Sequence, residues 1–89
     1  MTERLVTIIN RAGMHLRPAG VIVKAIKDYK ATISFEKGST RINAKSVMGI
    51  VTLAASFGTE LKIIAEGEDE EQAVETIVRL FLSKFEEEE

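Results

Sequence analysis

Two spacings of apolar residues alternate along the chain and predict its elements in order. The first run, Arg4 to Ile9 (Arg-Leu-Val-Thr-Ile-Ile), is short and β-branched and stops at the turn former Asn10, which predicts a strand. From Ala19, the apolar positions Ile22, Val23 and Ile26 fall three, four and seven residues on, one buried face of a helix. Lys24, Lys27 and Asp28 lie largely off that stripe and face water. Gly20 costs this helix roughly 1 kcal/mol relative to alanine, so its helicity must come mainly from packing.

Ala31, Ile33 and Phe35 then alternate with Thr32, Ser34 and Glu36, the period-two pattern of a strand with one covered face. Lys37-Gly38-Ser39 supplies a turn and Thr40 to Asn43 a returning strand, which makes a hairpin. Val47, Ile50, Val51 and Ala54 restore the helical spacing, with Ser46 just before them and Gly58 just past the expected end. Met48 lies off this stripe and is expected to point outward, an exposed methionine suited to a contact.

A fourth strand follows from the alternation of Leu61, Ile63 and Ala65 and ends at Gly67. Asp69 and Gln72 stand at capping-box spacing, and Glu70 and Glu71 suit the positive end of a helix dipole, so a third helix starts there. Its stripe of Val74, Ile77, Val78, Phe81 and Phe85 is the strongest amphipathic signal in the chain. Glu86 to Glu89 place negative charge where a helix end disfavours it, and fraying is expected. The order is β-α-β-β-α-β-α. One sheet covered by helices on a single face satisfies every pattern, an α+β architecture in one domain spanning residues 1–89.

Composition narrows the class. With 45% apolar and 29% charged residues, the 89-residue chain has the balance of a folded globular domain. Such a chain buries only about 60 to 65% of its unfolded surface. The absence of cysteine excludes disulfides, thiolate zinc sites and a thiol nucleophile. No signal-peptide run and no apolar segment near the roughly 20 residues of a membrane span occurs, so the expectation is a cytoplasmic protein without membrane insertion. A net charge of -2 and a pI near 5.5 give no general attraction to phosphate backbones, and five aromatics offer few stacking platforms. No direct nucleic-acid binding is expected.

The chemistry gathers at Asn10-Arg11-Ala12-Gly13-Met14-His15-Leu16-Arg17-Pro18-Ala19, which holds the only histidine and the only proline. The stretch reads as a strand-to-helix turn with an imidazole at its lip. An ordinary imidazole titrates at about pH 6.5, so a neutral nucleophile is available in the cell. A helix N-terminus offers unsatisfied amides and about half a unit of positive charge, which welcome a phosphate. Arg17 adds a fork of donors suited to phosphoryl oxygens, and Pro18 is tolerated in a first turn. The constellation fits a site that accepts a phosphoryl group on His15, although on spacing alone a lone His beside a lone Arg is more often incidental. One histidine without neighbouring ligands gives too few donors for a metal, and no cofactor fingerprint is present. Ser46 has two readings: an N-cap of the second helix, or a regulatory phosphorylation site whose added charge a helix N-terminus tolerates.

At these two stretches the chain resembles the HPr family, the histidine-containing phosphocarriers of the phosphoenolpyruvate-dependent sugar phosphotransferase system. Gly13 to Ala19 is similar to the family's phosphorylated-histidine signature, and Lys45-Ser46-Val47-Met48-Gly49-Ile50 to its regulatory-serine signature. The likeness continues through Ala65 to Glu70 and into the last helix. It implies an open-faced β-sandwich: a four-stranded antiparallel sheet of order 1-4-2-3 with three helices on one face. It also implies that His15 receives a phosphoryl group at Nδ1 from enzyme I and passes it to the IIA component of a sugar permease. Arg17 would stabilise the group, with no turnover of the chain's own. Ser46 would be the substrate of an HPr kinase/phosphorylase, creating a form that binds a catabolite-control transcription regulator. Lys24, Lys27, Val47, Met48, Gly49, Val51 and Thr52 match the family's docking surface, and the chain is expected to act as a monomer. Ala12, Leu16 and Gly20 depart from the family's usual residues. The alternative is a mainly regulatory member acting through Ser46, against which the presence of His15 argues.

Overall fold

The computed structural model describes residues 1–86. Strand β1 (Thr2–Thr7) leads to helix α1 (Leu16–Ile26), the hairpin of β2 (Thr32–Lys37) and β3 (Thr40–Asn43), helix α2 (Val47–Thr52), strand β4 (Glu60–Glu66) and helix α3 (Glu70–Leu82). The strands form one antiparallel sheet in the order β1-β4-β2-β3, with the helices packed on one face. This is the α+β open-faced sandwich expected.

Strand alternation sorts the two faces. Register places Val6 against Leu61, Ile63 against Phe35 and Ala65 against Ile33, all on the helix-covered side. Lys62 stands on the open side between Glu3 and Glu36, at 3.8 and 3.9 Å, exposed pairs worth little. Ile22 and Ile26 of α1, Ile50 of α2 and Ile77 and Phe81 of α3 complete the core. Phe81 meets Phe35 edge-on at 6.1 Å between ring centres.

Three boundaries differ from the pattern reading. Strand β1 occupies Thr2–Thr7 rather than Arg4 to Ile9, since its partner β4 begins at Glu60, opposite Thr7. Ile8 continues the pairing with the preceding turn, donating to the Thr59 carbonyl and accepting from the Gly58 amide. Helix α1 starts at Leu16, which puts Pro18 in its first turn as expected. Helix α2 stops at Thr52, so Ala54 lies outside it and is exposed, while Val47 and Val51 are half-buried.

Finally, Phe85 is not on the α3 stripe. Lys84, Phe85 and Glu86 all have positive φ, and this left-handed turn folds Phe85 back into the core, 4.8 Å from Phe81. Of Glu86 to Glu89, where fraying was expected, Glu86 belongs to this turn and residues 87–89 lie outside the described residues.

The capping box at Asp69 does not form. Asp69 occupies the N-cap position, but its carboxylate accepts the Lys30 and Ala31 amides at 2.8 Å each. Those amide bonds hold its pKa below the ordinary value. The reach-back of a capping box falls instead to Glu70, which accepts the Gly67 amide at 3.1 Å. Its other oxygen takes the Thr2 hydroxyl and the terminal ammonium. The Thr2 hydroxyl, then the Gly67 amide and the ammonium, hold the Glu70 carboxyl at about 2. The edge strand and α3 are thus tied at the same end as the α1–β2 connection.

Candidate functional site

The turn that carries His15 is built by its own backbone. Asn10 is fully buried and donates its side-chain amide to the Gly13 carbonyl at 2.8 Å, while the Gly13 amide returns a bond to the Asn10 carbonyl at 3.1 Å. Gly13 has φ +75°, and a Cβ there would stand 3.1 Å from both the Ala55 oxygen and the Ser56 Cα. Both facts favour glycine. Met14, buried beside it, donates its amide to the Ala55 carbonyl at 2.8 Å. The loop is therefore fixed against the segment following α2.

His15 is the N-cap residue of α1, with extended backbone (φ -105°, ψ -168°), and its carbonyl accepts the Ala19 amide at 3.1 Å. The imidazole does not cap the helix, which leaves the start of α1 to other ligands. The amides of Leu16 and Arg17 have no intrahelical acceptor, and Pro18 in the first turn has no N–H to leave unpaired. No acidic residue stands in that turn. Pro18 and Ala19 are buried and anchor the helix start, while Leu16 and Arg17 are exposed. Half-buried His15 thus stands at a helix start beside two amides without an intrahelical acceptor, and exposed Arg17 follows two positions on, a set of donors suited to an anion. Among the described residues no cluster of His, Asp or Glu could hold a metal ion.

Ser46 is the N-cap of α2, and its hydroxyl oxygen accepts the Gly49 amide at 3.0 Å. Of the surrounding residues, Met48 is 65% exposed and points outward, as its place off the stripe required. Thr52 is exposed and donates its hydroxyl to the Gly49 carbonyl at 2.7 Å. Val47, Gly49 and Val51 are half-buried, and Lys24 on α1 and Lys27 at its C-cap are exposed; α1 packs against α2. With six residues α2 is only about 9 Å long. Ser46 occupies its first end, and the segment bonded to Met14 leaves its second.

Three contributors to this arrangement had no sequence signal. Ala54 adopts φ +51° without being glycine. Ala55 acts through its carbonyl, which any residue supplies. Lys37, assigned only to a turn, reaches the Leu53 and Ala54 carbonyls. Exposed Phe57 follows in the same segment, its amide nitrogen 3.5 Å from where a Gly13 Cβ would lie.

Comparison with known proteins agrees with the fold. A family model described as the phosphotransferase-system HPr component phosphorylation site matches residues 2–83. The phosphocarrier protein HPr of Treponema pallidum is 46% identical, over 99% of this chain and all of its own length. The HPr-like protein Crh of Bacillus subtilis is 38% identical, over 86% of this chain and 91% of its own. Among solved structures, HPr of Thermoanaerobacter tengcongensis superposes with a TM-score of 0.94 at 43% identity, each chain covered completely. The family model covers most of the chain, the relatives match it over nearly its whole length, and the solved fold superposes completely: the chain belongs to the HPr family of phosphocarrier proteins of the phosphotransferase system.

Proposed function

We propose that His15 accepts a phosphoryl group from the phosphohistidine of enzyme I and passes it to the IIA component of a sugar permease. The observation that carries this reading is the placement of His15 as a non-capping N-cap residue next to the Leu16 and Arg17 amides, which have no intrahelical acceptor. In the first transfer the His15 Nδ1 lone pair forms the new P–N bond as the donor's P–N bond breaks, and the imidazole proton resides on Nε2. The amides and the Arg17 guanidinium take up phosphoryl charge without a covalent role. Because that grip comes from a helix end and one exposed guanidinium, it leaves the group free to depart to the next acceptor. The chain is a carrier turned over by its partners and works as a single 1–89 domain, a monomer of the cytoplasm.

Ser46 is the second functional position, phosphorylated by an HPr kinase/phosphorylase. Its hydroxyl stands at a helix N-terminus that tolerates added negative charge. Exposed Met48, Thr52, Lys24 and Lys27, with half-buried Val47, Gly49 and Val51, form the docking face for enzyme I and IIA. The Ser46-phosphorylated form offers that face to a catabolite-control transcription regulator.

Incubation with phosphoenolpyruvate and enzyme I should give an acid-labile phosphoprotein that donates to IIA. A His15→Ala variant that still took the label would overturn the reading. The likeness to Crh keeps a mainly regulatory role as the competing account. Failure of wild-type transfer to any IIA, together with partner binding dependent on Ser46 phosphorylation, would favour it.

A further inference from the structure

Helix α2 closes without a glycine. Its C-cap Leu53 is right-handed, and the next residue, Ala54, has φ +51°. That left-handed conformation costs an L-residue about 1 to 2 kcal/mol, so the corner needs support from elsewhere. Lys37 supplies it: the last residue of β2 sends its ammonium to the Leu53 carbonyl at 3.0 Å and towards the Ala54 carbonyl at 3.4 Å. A cation at a helix C-terminus meets carbonyls the helix leaves unused, and the half-buried side chain is partly shielded from water.

The next carbonyl along the chain is the one that holds the histidine turn. Ala55 accepts the Met14 amide at 2.8 Å, and Gly13 rests against Ala55 and Ser56. A continuous series of bonds therefore runs from Lys37 through the Leu53–Ala54 corner and Ala55 to Met14, the neighbour of His15. An imidazole that must meet a phosphorus atom in line is sensitive to displacement of its backbone, since about 1 Å of misplacement can cost on the order of a hundredfold in rate.

We propose that Lys37 is a positioning residue for phosphoryl transfer at His15, clamping the corner after α2 on which the histidine turn rests. This rests on the carrier reading above. Lys37 is placed to act only through Leu53, Ala54, Ala55 and Met14, not on the phosphoryl group itself.

The test uses the full chain carrying Lys37→Met, which keeps the length of the stem and removes the ammonium, and Lys37→Arg, which keeps the charge. With the carrier as the varied substrate of phosphorylated enzyme I, Lys37→Met should lower kcat about 3- to 10-fold with KM unchanged. Lys37→Arg should recover most of it. Amide hydrogen exchange at Met14 should quicken about tenfold in Lys37→Met while Ile77, in the middle of α3, exchanges as in the wild type. Transfer at the wild-type rate in Lys37→Met overturns the positioning role whatever exchange shows. Exchange that quickens equally at Met14 and Ile77 overturns the local clamp, because it reports a general loss of stability. A wild-type chain that takes no phosphoryl group on His15 defeats the carrier reading itself, while Met14 exchange still reports whether the clamp exists.

Discussion

The Met14 amide donates to the Ala55 carbonyl at 2.8 Å, across 41 positions of sequence, and joins the histidine turn to the exit of α2. Neither partner needs a particular side chain for that bond. What it needs is a corner at Ala54 that turns the chain so the Ala55 carbonyl faces Met14. The stability of the site is therefore set partly at residues that no phosphoryl group touches.

Replacing Ala54 by glycine should stabilise the protein. The residue is exposed, and its φ of +51° disfavours any residue with a Cβ. Relief of that conformation, less the greater unfolded freedom of glycine, leaves a gain of about 0.5 to 1 kcal/mol. Thermal unfolding should move up by about 2 to 8 °C for a chain of this size. An unchanged or lower Tm would show that the corner stores no strain.

Gly67 behaves in the opposite sense. Its φ is +150°, and a Cβ would lie 2.7 Å from the Ala31 Cα, a backbone atom that cannot move alone. Ala31 is also held by its amide bond to Asp69. Gly67→Ala should therefore destabilise the fold by about 2 to 4 kcal/mol, combining backbone strain with overpacking. Urea unfolding measures this directly, and a change below about 1 kcal/mol would mean that the β4–α3 connection relaxes freely.

The elements were legible because each strand or helix repeats its buried positions at a period set by backbone geometry. Phe35, Ile63 and Ile77 all stand in the core where that period placed them. His15 and Ser46 were legible for a different reason: both stand at helix starts, where local residue types mark the boundary. The burial of Phe85 was legible too, but not its route, because three consecutive residues with positive φ, none of them glycine, turn it inward beyond the end of α3. Asp69 was read correctly as the helix start but not for its bonds, since its carboxylate serves the Lys30 and Ala31 amides, 39 and 38 residues away in sequence. Lys37 had no signal because its acceptors are backbone carbonyls on a distant corner.

Glu70 predicts an acid-sensitive limb of stability. Its folded pKa of about 2 lies below the ordinary carboxylate value, held there by the Thr2 hydroxyl, the Gly67 amide and the terminal ammonium. The unfolded chain binds the proton more readily, so this contribution is fully present above about pH 4.3 and is lost as pH falls towards about 2. In Glu70→Gln that part of the acid limb should flatten, with a lower plateau near neutrality. Equilibrium unfolding at a series of pH values checks it, and an identical acid limb in the variant would refute the assignment.

Ser46 separates a structural role from a regulatory one, because its two substitutions should diverge. Ser46→Ala removes the oxygen that accepts the Gly49 amide, and loss of an N-cap costs about 0.5 to 2 kcal/mol. Ser46→Asp keeps an acceptor at the cap and adds negative charge to a first turn that has no acidic residue, so its stability should stay within about 0.5 kcal/mol of the wild type. Phosphoryl transfer at His15 should follow the reverse order. The alanine variant adds no charge to the proposed docking face around exposed Met48 and should transfer near the wild-type rate, whereas the aspartate variant sets a negative charge on that face and should transfer more slowly. Denaturation and enzyme I kinetics on the same two proteins decide both points. Equal destabilisation of the two variants would refute the capping role, and equal transfer rates would refute charge at residue 46 as the regulatory signal.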